Sequence, residues 1–100
     1  MESIGLDAYI VRTLMRDLIG HDHKPTAFVV YLWLATESER TGGKITISYA
    51  ALAGETGLSR SAAQSAVAWL IQRELLSVTH ASATATPEYL VLRPWRQRRR

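Results

Sequence analysis

The chain has 100 residues, 47 % of them hydrophobic and 21 % charged, and no cysteine. That suits one globular domain and is too apolar for a disordered chain; it excludes a disulfide scaffold, a thiolate metal site and a cysteine nucleophile. The formal net charge of +3 conceals an asymmetry: up to Leu92 there are seven Lys or Arg against nine Asp or Glu, and Arg93 to Arg100 add five arginines and no acid. The body is slightly acidic, and the basic character sits in the terminal segment. The longest unbroken apolar run, Ala27 to Ala35, has nine residues, about half a membrane span. Glu2 and Asp7 give the N-terminus the wrong sign for a secretory signal. A cytoplasmic protein with no membrane partner is expected.

Residues 3–19 have the pattern of an amphipathic helix. Apolar side chains recur at Ile4, Ala8, Val11, Leu14, Met15, Leu18 and Ile19, with Arg12, Thr13, Arg16 and Asp17 on the other side. Ser3 is the expected N-cap and Gly20 the expected stop. His21-Asp22-His23-Lys24 forms a polar connection; two imidazoles without a third ligand do not make a metal site. Pro25 opens a second helix over 26–41, closed by Gly42-Gly43. Its first half is apolar around most of its girth, so it must be covered on several sides, which points to a subunit interface.

Lys44-Ile45-Thr46-Ile47 alternates and is a candidate short strand. Ser48 then caps a helix from Tyr49 to Thr56, Gly57-Leu58 turns, and Ser59 caps a longer helix to about Arg73. Residues 75–80 and 88–92 are β-like, joined by a loop of small and hydroxyl residues, and predict a hairpin over 75–92.

The stretch 48–73 meets the demands of two helices packed through a tight turn. Ala53 is small where the backbones approach. Four residues later Gly57 tolerates positive φ. Leu58 plugs the gap between the helices, and Ser59 caps the second one. Tyr49 and Leu52 on the first helix, with Ala63, Ala66, Val67, Leu70 and Ile71 on the second, supply the inward faces. The spacing Ala-x-x-x-Gly alone fits any αα-hairpin; the Leu-Ser step, the apolar periodicity and the following hairpin make it more specific.

Leu52-Ala53-x-x-x-Gly57-Leu58-Ser59-Arg60, continued by Ala66-Val67-x-x-Leu70 and Leu75-Leu76, resembles the DNA-binding winged-helix domain of bacterial transcription regulators. It is also similar to winged-helix modules of plasmid and phage replication proteins. The resemblance covers roughly residues 26–92. It implies a mainly α fold with a small β-hairpin, a winged helix-turn-helix, here with an extra N-terminal helix. One domain over 1–92 and a basic tail over 93–100 are expected. The family usually has Gly where this chain has Glu74, so a looser helix exit is expected, and the wing here lacks the usual Arg or Lys.

The same resemblance places the helix from Ser59 in the major groove of double-stranded DNA. Helical spacing then turns Arg60, Ser61, Gln64, Ser65 and Ala68 outward, with Gln72 at the far end. Arg reads guanine and Gln reads adenine through paired hydrogen bonds, and Ala68 suits a thymine methyl. Ser59, Ser61 and Ser65 suit phosphate or water-mediated contacts. Lys44, Thr46 and Ser48 lie before a helix N-terminus that favours anions. Arg96, Arg98 and Arg99 are tail candidates; five neutralised phosphates would give a salt slope of about −4.5. Trp95 is expected to pack back on the body.

No Gly-rich phosphate loop, metal-ligand cluster or nucleophile elbow is present, so neither an enzyme nor a cofactor is expected. The sequence favours a small DNA-binding transcription regulator, a homodimer joined through the helices at 3–19 and 26–41 with half-sites about 34 Å apart. The alternative is a winged-helix protein-interaction or replication accessory module with weak, nonspecific, tail-driven DNA binding.

Overall fold

The computed structural model describes residues 2–97. An N-terminal helical segment leads into α1 (Pro25–Thr41), β1 (Ile45–Thr46), α2 (Tyr49–Thr56), α3 (Arg60–Gln72), β2 (Leu76–Thr79) and β3 (Glu88–Val91). A single turn of 3-10 helix, Pro94–Gln97, follows. The sheet is antiparallel in the order β1-β3-β2. Leu76 pairs with Val91 and Val78 with Tyr89, while Ile45 pairs with Tyr89 on the other edge. This is a winged helix-turn-helix with an added N-terminal helix.

The N-terminal segment departs from the sequence reading at both ends. It is wound mainly as π-type turns over Ile10–Leu14 and Arg16–His21. Its bonds reach back five residues, as from the Asp22 amide to the Asp17 carbonyl at 2.9 Å. Ser3 caps nothing, because the helix begins several residues later. Gly20 lies inside the helix, and the turn is made at His23, whose φ is 59°. Ile10, Leu14 and Leu18 face inward and are buried.

Helix α1 is the centre of the molecule. Ala27, Phe28, Val30, Tyr31, Leu34 and Ala35 are buried on different sides of it. The N-terminal segment, α2, α3, β1 and β3 all pack against it. A single chain therefore covers the apolar girth that pointed to a subunit interface, leaving Val29 as its exposed large aliphatic side chain. Tyr31 sends its hydroxyl to the Leu92 carbonyl at 2.9 Å, tying α1 to the end of the wing. Each fully buried aliphatic side chain here contributes roughly 1.5–3 kcal/mol.

Candidate nucleic-acid interface

Two serines set the motif. The Ser48 hydroxyl accepts from the Ala51 amide and the Ser59 hydroxyl from the Ala62 amide, each at 3.1 Å. Each therefore starts its helix at the expected place. Between them Gly57 sits at φ 78°, and the amides of Gly57 and Leu58 both return to the Ala53 carbonyl, at 2.9 and 3.0 Å. The turn closes α2 and points the chain into α3.

Helix α3 buries Ala63, Ala66, Val67 and Leu70. The opposite row, Arg60, Ser61, Gln64, Ser65, Ala68 and Gln72, is exposed. Ile71 corrects the sequence reading. It follows Leu70 by about 100° of helix rotation, emerges beyond the packed strip and is 44 % exposed. Tyr49 is half-buried, its ring edge-on to Tyr89 at 6.4 Å between centroids.

The exit from α3 is tight, against expectation. The Glu74 amide bonds the Ile71 carbonyl at 3.0 Å and the Leu75 amide the Leu70 carbonyl at 2.9 Å. That is the paired closure usually built around glycine. Glu74 supplies it at φ 59°, in the left-handed region. Closure bonds and the burial of Leu75 and Leu76 hold it there.

The flanking candidates are placed less uniformly. Thr46 is exposed on β1, and the Lys44 ammonium lies 3.5 Å from the Glu88 carboxylate. The wing loop 80–86 is largely exposed and carries no Lys or Arg. Arg96 does not extend from the body: its guanidinium meets both oxygens of Asp7 at 2.7 Å. Arg93 pairs with Glu39 at 3.2 Å. Trp95 stacks on Tyr9 with centroids 4.5 Å apart. Arg98 and Arg99 lie outside the described residues.

One cluster at α3 escaped the sequence reading. The Trp69 indole N–H donates to Asp22 Oδ2 at 2.9 Å, and Arg73 Nε lies 3.2 Å from the same oxygen. His21 Nδ1 is 2.8 Å from the other oxygen. The Asp22 side chain is only 4 % exposed. Burial pushes its pKa up, but the hydrogen bonds from His21 and Trp69 and the charge of Arg73 outweigh it and leave the carboxyl below its ordinary value. Lys24 places its ammonium 4.9 Å from the centre of the Trp69 ring. Asp22 and Trp69 are 47 positions apart, so no local spacing links them. The signal available was an acid three residues before a helix-opening Pro and a Trp between the inner and outer rows of α3.

No described helix is long and apolar enough to cross a membrane. Among the described residues there is no metal-binding group of His, Asp or Glu. The helix-turn-helix domain family matches residues 24–76, from Lys24 through α3 to the first residue of β2. No curated protein and no solved structure matches the chain significantly.

Proposed function

Since the chain belongs to the helix-turn-helix domain family, a family that suggests DNA binding, we propose that it is a sequence-specific binder of double-stranded DNA. In this reading it acts as a small transcription regulator, with α3 in the major groove. The carrying observation is the exposed row Arg60, Ser61, Gln64, Ser65 and Ala68. It has one cation, no acid and small side chains between its polar ones, which lets a helix approach base edges. Arg60 reads guanine and Gln64 adenine, while Ser59, Ser61 and Ser65 serve phosphates or bridging water.

A homodimer through the N-terminal helix belongs to the same reading. Val11, Met15 and Ile19, spaced by four, are 53, 36 and 38 % exposed. They form an apolar stripe beside the buried one, and such a stripe favours a covered state. A protein-interaction or replication accessory role is the second reading. The cation-free wing and the carboxylate partners of Lys44, Arg93 and Arg96 favour it, since they withdraw positive charge from DNA.

Selection from a randomised duplex library tests the first reading. Enrichment of one motif by the full chain, lost in Arg60→Ala and Gln64→Ala, supports it. Binding without enrichment, unchanged by either substitution, points to the accessory role.

A further inference from the structure

We infer that Lys24 is a DNA phosphate contact, held at the C-terminal half of α3 by the Asp22–Trp69 hydrogen bond. The inference rests on the DNA-binding reading above and adds a backbone contact from outside the turn, the reading helix and the wing. Nine cations lie among the described residues, and five of them have a carboxylate partner: Arg40, Lys44, Arg73, Arg93 and Arg96. Of the others, Arg60 belongs to α3, and Lys24 reaches α3 by lying over the Trp69 ring.

The cluster leaves the lysine charge uncancelled. Asp22 is paired with Arg73 and hydrogen-bonded by Trp69 and His21, so its charge is engaged within the cluster. The Lys24 backbone is fixed as well, its amide donating to the Leu18 carbonyl at 2.8 Å. An ammonium resting on an indole face keeps donors turned to solvent. Part of the ordering cost of a long side chain is already met before a phosphate arrives.

The spacing suits a duplex. Trp69 stands nine residues after Arg60, about 14 Å along the helix axis. The major groove is about 12 Å wide between its phosphate walls. A helix that enters this groove obliquely by its N-terminal end, with Arg60 at the bases, carries Trp69 and the Lys24 ammonium on it back to the phosphate wall. Phosphate contacts of this kind set register and orientation and carry no sequence information.

The test is a salt series with the full chain on its enriched duplex and on a random one, comparing wild type, Lys24→Met and Lys24→Arg. Methionine keeps an apolar stem on the indole, and thermal melts of all three proteins check the fold. Lys24→Met is expected to lower the slope of log K against log salt by about 0.9 and to weaken both duplexes alike, about fivefold near 0.15 M salt. Lys24→Arg is expected to keep both the slope and the affinity of wild type. Wild type that binds, with Lys24→Met of the same slope, overturns the contact and leaves the DNA reading intact. Wild type that binds neither duplex at low salt overturns both.

Discussion

Arg96 holds both carboxylate oxygens of Asp7 at 2.7 Å, joining the end of the described chain to its beginning. The Trp95 indole N–H donates to the same carboxylate at 2.7 Å. Hydrogen bonds from Arg96 and Trp95 hold the Asp7 pKa down at about 2. A carboxylate with a depressed pKa stabilises the fold above its unfolded pKa and stops doing so as pH falls through the folded one. Stability is therefore expected to drop between about pH 4 and pH 2, by about 1 kcal/mol after solvent screening of the partly exposed pair. Asp7→Asn should remove most of that dependence, measured by chemical denaturation across this range.

Gly57 and Glu74 close successive helices with positive φ, 78° and 59°, but only one of them is free of a Cβ. Glu74→Gly is expected to stabilise the protein by about 1 kcal/mol and to raise Tm by roughly 4–8 °C. Gly57→Ala should destabilise by a similar amount, although the added methyl meets nothing within 4 Å beyond its immediate chain neighbours. Thermal melts of the two variants in opposite directions would establish that backbone conformation, not space, decides both.

Asp22→Ala removes the acceptor of Trp69 and the partner of Arg73 together. Unmet buried donors cost about 1–3 kcal/mol, so denaturant midpoints should fall accordingly. A cavity-sized loss at Leu18, which the same turn holds over α1, is larger: Leu18→Ala is expected to cost about 2–5 kcal/mol.

Met15→Lys places a charge in the middle of the exposed stripe made by Val11, Met15 and Ile19. Sedimentation should show wild type as a dimer and the variant as a monomer of unchanged circular dichroism. Identical masses for the two proteins would remove the N-terminal helix from the assembly.

The helix-turn-helix was legible because its determinants are local. Ser48, Gly57 and Ser59 act on backbone within a few residues, and the inward row Ala63, Ala66, Val67 and Leu70 follows from helical period alone. The outward row of α3 could be read for the same reason. The hairpin was legible from two β-like runs joined by a loop of small and hydroxyl residues, whereas alternation marked Ile45–Thr46 as a strand but only the fold paired it with Tyr89 and Glu88 as the sheet's third strand.

Partnership across the chain was decided only on folding. Ile71 has the residue type of a core position, yet its exposure depends on where its neighbours stop. The girth of α1 reads the same whether a second copy or the chain's own elements enclose it. Arg96 reads as a free cation until Asp7 meets it from 89 positions away. Composition and period record what each side chain prefers, water or apolar surroundings, on which face of its element. Which carboxylate reaches which guanidinium, and which apolar stripe is left in solvent, is set by chain segments distant in sequence and brought together only by the closed core.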